Sequence, residues 1–243
     1  MKILGIESSS NVASVAVLEN NQILCEYTMN NTMKHSKTLM PMIDEILNRL
    51  GISIREIELV AVSEGPGSFT GLRIGSATAK GLAHGLNIPV VNVPTLEMMA
   101  SSIGIPNVSV GVLVHSRADE VYYALFRTSN QEGILQLEVI QEINEYKIEN
   151  LIEQINERKE TTFILGDGVE VFKENLKSLG EQHVLVKEVY SHRSAKYIAL
   201  LGYQRYLRGD FLNYQEQKPY YFKKAQAERE LEERQNDSSH ENG

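Results

Sequence analysis

Apolar positions in the first 29 residues fall into three short runs, 3–9, 13–19 and 22–29, parted by Ser10-Asn11 and Asn20-Asn21. Serine and asparagine at the breaks supply turn chemistry, so these runs predict three strands joined by tight turns, a meander. Residues 38–50 switch to a helical period that stops at Gly51. With Thr38 as its cap, Pro41 falls among the first-turn amides that have no partner in any case. A fourth strand at 57–63 runs into Glu64-Gly-Pro-Gly-Ser-Phe-Thr-Gly71, followed by a helix at 72–85, a short strand at 90–93 and a helix capped by Thr95 and running through residue 102. Beyond Gly104 and Pro106 the alternating pattern returns, predicting strands at 109–115, 120–127 and 135–141, a helix near 149–157 and a strand at 161–165. A last core helix covers 195–208. No repeat at a solenoid period is present.

Two of these helices carry more apolar or small surface than one packed face requires. Leu39, Met40, Met42, Ile43, Ile46, Leu47 and Leu50 spread over an arc of roughly 160°, against the ~100° stripe of an ordinary surface helix. In the next helix Gly75, Ala79 and Ala83 form one line, flanked by Leu72, Leu82 and Leu86. A glycine inside a helix costs roughly 0.5–1 kcal/mol against alanine, which close approach of another element, sheet or helix, would compensate. The pair reads either as a protein interface built from Leu39, Met42, Ile43, Ile46, Leu72, Gly75, Ala79 and Leu82 or as a deep core.

Composition narrows the class. With 42% hydrophobic and 23% charged residues the chain is globular, and no apolar run approaches the length of a membrane span, so a soluble cytoplasmic protein with no membrane partner is expected. A lone cysteine, Cys25, cannot form an internal disulfide or a cysteine metal site. The net charge of −8 disfavours a broad phosphate-binding face, so contact with RNA is expected to come through a partner. Half of that charge lies in an acidic tail, 225–243, where Glu228, Glu230, Glu232, Glu233, Asp237 and Glu241 face only Arg229 and Arg234; the tail reads as solvated.

Three segments offer candidate chemistry. Glu7, Ser8 and Ser9 close the first strand, and such a run serves equally as a hairpin turn or as a phosphate-facing one. The loop containing Gly67 and Ser68 is not a Walker loop, since no Lys-Ser or Lys-Thr follows; it leads backbone amides and Arg73 to a helix N-terminus, a candidate anion site. Gly166-Asp167-Gly168, after a strand, is a turn or a second phosphate loop. His115-Ser116-Arg117-Ala118-Asp119 suggests a hydrolase, but neighbours on an extended chain point to opposite faces, so a solvated turn is favoured. The six histidines show neither the HExxH pattern nor paired spacing, and no metal site is expected.

Three antiparallel strands followed by helix, strand, helix, strand give the order of a ribonuclease-H-like lobe. Together with Glu64 to Gly75, Ile6 to Ser9, His35-Ser36, Gly166-Asp167-Gly168 and the Pro219-Tyr220-Tyr221 ending, this order resembles the TsaB (YeaZ) family over residues 1 to about 224. The resemblance implies an α/β, two-lobed actin- and Hsp70-like (ASKHA) fold. A first lobe would comprise 1–103 plus a returning 190–224, and a smaller second lobe 104–189. It also implies a homodimer through the two first-lobe helices, a heterodimer with the transferase TsaD, and the ATPase TsaE joining that pair, in forming threonylcarbamoyladenosine at tRNA adenosine 37. TsaD holds a metal through a His-x-Glu-x-His segment; the corresponding place here reads Thr95-Leu-Glu97-Met-Met99. The resemblance therefore implies a non-catalytic partner that requires no cofactor, with ATP and metal on its partners. Glu7 replaces the usual Asp, and His115-Ser116-Arg117 the usual Asp-Ala-Arg. The competing class is an enzyme of the same superfamily, a nucleotide-dependent kinase or ATPase, or a peptidase-like hydrolase, with Glu7, Ser8, Ser9, Gly67, Ser68 and Asp167 as a weak nucleotide or anion site.

Overall fold

Strands β1 (Lys2–Glu7), β2 (Val12–Glu19) and β3 (Gln22–Asn30) form the predicted meander, and α1 (His35–Leu50), β4 (Ile57–Gly65), α2 (Phe69–Leu86) and β5 (Val90–Pro94) complete a lobe. In this computed structural model, residues 1–30, 35–131, 133–187 and 193–218 are described. The sheet order is β3-β2-β1-β4-β5, with β1, β2 and β3 antiparallel in sequence and β4 and β5 added in parallel beside β1. After α3 (Thr95–Ala100) come β6 (Ser109–Arg117), β7 (Glu120–Gln131), β8 (Ile134–Lys147), α4 (Ile148–Asn156), β9 (Thr162–Leu165), α5 (Asp167–Val171), β10 (Val184–Leu185) and α6 (Ala195–Leu207). Their sheet runs β8-β7-β6-β9-β10 with the same pairing senses, so the second lobe repeats the first strand for strand. The two-lobed α/β expectation holds.

Every residue of β2 except the last is buried, which requires cover on both faces of the first sheet. On one face α1 and α2 pack Leu39, Ile43, Ile46, Ala79 and Ala83 against Leu4, Ile6, Val60 and Val62. On the other, α6 and α3 bring Ile198, Ala199, Leu96 and Met99 to Ile3, Leu59 and Val91. The same apolar layer continues into Val110, Val112 and Phe126 of the second sheet, so one core joins the lobes. A third layer, from Leu151 and Ile155 of α4 to Phe172, covers the outer face of the second sheet.

Helix α6 is started from a distant strand. Glu26 on β3 accepts through Oε1 from Ser194 Oγ at 2.5 Å and from the Lys196 amide at 3.2 Å, while the Ala195 amide donates to Ser14 Oγ at 3.1 Å. First-turn amides that the helix cannot pair thus find acceptors on the sheet, one of them a carboxylate favoured by the helix dipole. Past α6, Leu212 exchanges two backbone hydrogen bonds with Val90, 2.8 and 3.0 Å, and Ser76 Oγ donates to Gln217 Oε1 at 2.8 Å, so residues 212–217 close the β5 edge.

Several expected boundaries move for identifiable reasons. Helix α1 starts at His35, whose Nε2 lies 2.6 Å from the Ser10 carbonyl, so Thr38 is not the cap; its hydroxyl donates back to the His35 carbonyl at 3.4 Å. Pro41 therefore sits inside the helix, and the Lys37 carbonyl it leaves unpaired is on a residue exposed to water. Helix α2 starts three residues early because Ser68 Oγ caps it, accepting from the Gly71 amide at 3.2 Å. Thr95 does not cap α3: it is the first helical residue, and its buried hydroxyl finds no hydrogen-bond partner among the described residues. Strand β8 continues to Lys147 as an edge strand open to solvent, where polar residues are at no cost. Residues 190–192 of the returning segment, Pro219-Tyr220-Tyr221 and the tail 225–243 lie outside the described residues.

Candidate functional site between the lobes

Glu7 ends β1 fully buried, and its Oε1 accepts from the Ser9 amide at 2.7 Å and from Ser9 Oγ at 2.5 Å. That carboxylate braces the turn it precedes. Its second oxygen is buried with no hydrogen-bond partner among the described residues. Ser8 turns the other way: its hydroxyl donates to the Gly71 carbonyl at 2.9 Å, and its amide to Ser63 Oγ at 3.4 Å. A Cβ on Gly71 or Gly75 would strike Ser8, so those glycines let α2 lie against the turn. The Ser68 amide donates to the Ser9 carbonyl at 2.7 Å, and Gly67 packs beneath Ser9.

Asp167 begins α5, across from this turn, and accepts the His115 amide on Oδ1 at 3.0 Å. Between the two stands Arg193. Its NH1 donates to the Ser9 carbonyl at 2.6 Å and to Ser9 Oγ at 2.8 Å, and its NH2 pairs with Asp167 Oδ2 at 3.1 Å. The structure thus brings Glu7, Ser8, Ser9, Gly67, Ser68 and Asp167 to one place, around a guanidinium that sequence reasoning had no motif to find. Of the groups that could hold an anion, the Ser68 amide serves Ser9, and Arg193 serves Ser9 and Asp167.

A second charged cluster lies on the other side of the Glu64 loop. Arg205 of α6 grips both oxygens of Glu97 at 2.9 and 2.7 Å and reaches Asp210 at 2.7 Å. Burial lifts the Glu64 carboxyl above the ordinary carboxylate range; the charge of Arg205 opposes that shift and the charge of Glu97 adds to it.

The residues nominated for a partner surface follow the other reading of their pattern, a deep core. Leu39, Met42, Ile43, Ile46, Leu72, Gly75 and Ala79 are buried in this chain's own interior, and Leu82 is half-buried against the same core. The wide apolar arc arises because α1 rests on the sheet and on α2 at once, and the Gly75 line faces Ser8 and Val62. What α1 and α2 turn outward is a different strip: Met40, Pro41 and Asp44 on one, Ala77 and Gly81 on the other, with Ile74 and Thr78 half-buried beside them.

Thr95 is fully buried, and Met99 is buried in the layer shared by the lobes. Among the described residues, no group of three or more His, Cys, Asp and Glu is placed to hold a metal ion, and no helix is long and apolar enough to cross a membrane.

Paired ribonuclease-H-like sheets, with strand-end turns meeting between them, define a member of the actin- and Hsp70-like class. The family profile described as TsaD, tRNA N6-adenosine threonylcarbamoyltransferase, matches residues 22–231. The tRNA threonylcarbamoyladenosine biosynthesis protein TsaB of Buchnera aphidicola subsp. Acyrthosiphon pisum is 36% identical over 159 residues, 61% of this chain and 70% of that protein. TsaB of Bacillus subtilis is 27% identical over 206 residues, 84% and 88% of the two chains. A Pseudomonas aeruginosa structure described as an uncharacterized protein with similarity to peptidase YEAZ superposes with a TM-score of 0.78 at 23% identity, covering 91% of this chain and 99% of that one. The chain belongs to the TsaB family, within the wider group that the transferase profile describes.

Proposed function

We propose that this chain is the non-catalytic subunit in forming threonylcarbamoyladenosine at adenosine 37 of tRNAs that read codons beginning with A, and that it works by binding and organising TsaD, with TsaE joining the pair. The observation that carries this reading is the content of α3: Thr95 and Met99 stand where the resemblance puts the transferase's two metal-ligating histidines, and Thr95 is fully buried while Met99 lies in the apolar core. A hydroxyl and a thioether in that setting do not replace two imidazoles, because a catalytic metal needs about three protein ligands and an open position. ATP and metal would then be supplied by the partners, and tRNA would be met only through the complex. The surface offered to a second copy or to TsaD is the outward strip of α1 and α2, where Met40 is about half exposed, 49%, and Ala77 and Gly81 let another helix approach closely.

The test is reconstitution in solution from purified TsaD, TsaE and this chain with tRNA, ATP and the threonylcarbamoyl precursors. Modified tRNA should form only when this chain accompanies TsaD, and the pair should co-elute from a sizing column. Transfer or ATP turnover by this chain alone, abolished by Glu7→Gln or Asp167→Asn, would support the superfamily enzyme instead.

A further inference from the structure

We propose that Arg193 is a built-in latch that holds the two lobes closed by binding the Ser9 turn of the first and the Asp167 carboxylate of the second with one guanidinium. Arg193 is the one arginine buried among the described residues, 5% exposed. Burying a guanidinium is costly unless it is paired and hydrogen-bonded, so its position makes sense only through the partners it meets. Those partners come from both lobes: two oxygens of Ser9, at 2.6 and 2.8 Å, and Asp167 Oδ2 at 3.1 Å.

Each partner is itself fixed, which makes the joint stiff. The Ser9 carbonyl also receives the Ser68 amide, the Ser9 hydroxyl donates to Glu7, and the other Asp167 oxygen receives the His115 amide. The result is a continuous chain of polar contacts, Glu7–Ser9–Arg193–Asp167, running from β1 to α5. Within it Arg193 is the one cationic group, and Glu7 Oε2 is buried with no hydrogen-bond partner among the described residues. Removing Arg193 takes the shared donor from both Ser9 oxygens and from Asp167 Oδ2, so the polar contact that joins the lobes at that point is lost. The seam opens from the second-lobe side, since the Asp167 side chain is 39% exposed to solvent and that of Arg193 only 6%.

Hydrogen exchange on the full-length protein, comparing wild type with Asp167→Asn and Arg193→Ala, tests this directly. Asparagine keeps the oxygen that receives the His115 amide and sits at a partly exposed position, so the second lobe stays folded. The expected result is that Asp167→Asn speeds exchange by about tenfold in first-lobe amides of residues 8–12 and 67–70, the scale set by losing a hydrogen bond to a charged group. Arg193→Ala should speed both these amides and those of 166–169. First-lobe amides exchanging at the wild-type rate in Asp167→Asn would overturn the proposal, as would an Arg193→Ala effect confined to the first lobe. If Arg193→Ala fails to fold, the Asp167→Asn result decides alone. The measurement uses the isolated chain, so its outcome is separate from partnership with TsaD.

Discussion

Gly65 and Gly166 stand at matching points of the two lobes, each where an inner parallel strand gives way to a helix, and their φ angles are 117° and 116°. Positive φ of this kind is open to glycine and strained for other residues. At Gly166 a side chain would also run into the Leu113 carbonyl. The two loops that meet at Arg193 therefore turn on the same backbone device, which ties the duplicated topology to the site.

Gly75→Val should destabilise the fold by about 1–3 kcal/mol, the usual range for overpacking a filled interior, because the added methyls meet Ser8. Gly81→Leu, on the outward side of the same helix with no atom within 4 Å of its Cβ position, should leave the melting temperature unchanged or higher. It should nonetheless weaken TsaD binding, because the outward strip is the proposed contact. Thermal melts and co-elution measured on both variants separate the two roles; a Gly81→Leu protein that binds TsaD as well as wild type removes the strip from consideration.

Glu64→Gln should melt higher than wild type at neutral pH. The folded protein holds the Glu64 proton more tightly than the unfolded chain does, so stability from this group is full at low pH and is lost as pH rises through the raised pKa. Glutamine does not titrate. The advantage of the variant should therefore shrink as pH falls through the carboxylate range, and a difference independent of pH would contradict the assignment.

Glu26→Ala should cost about 1–2 kcal/mol in urea unfolding, the scale of losing a helix cap that is also a favourable charge at the N-terminus. Glu26→Gln keeps an acceptor for Ser194 and Lys196 and should lose less. Equal losses would mean that the charge contributes everything.

Tyr123→Phe should raise the urea midpoint. The Tyr123 hydroxyl is buried without a hydrogen-bond partner among the described residues, and burial holds its pKa well above the usual phenol range. Removing an unsatisfied polar group while keeping the ring should gain up to about 1 kcal/mol. A loss of stability would reveal a bond to that oxygen.

Element order was readable because strands and helices here differ sharply in period and because turns such as Asn20-Asn21 and Gly51 are chemically explicit. Periodicity reports how much of a helix is apolar, but not what covers it, so Leu39 and Ile43 fit a partner surface or a deep core alike, and the cover is the chain's own sheet. β10 escaped notice because it has two residues, both exposed, and α5 because five residues are too few to show a period. The grouping of Glu7, Ser9 and Asp167 was partly visible as repeated turn chemistry at two strand ends. Arg193 was not, for its hydrogen bond to Ser9 spans 184 residues and no local spacing encodes it.

The placement of α6 sets an order for synthesis. This helix covers a face of β1, β2, β4 and β5 and begins at residue 195, so the first sheet, although its strands are made before those of the second, is completed after it. Until then Ile3, Leu59 and Val91 present an open apolar surface, while the second sheet, contiguous from Ser109 to Leu185, has all its own strands in hand. At about 5–20 residues per second the uncovered interval lasts several seconds or more, long enough for a chaperone to bind the growing chain.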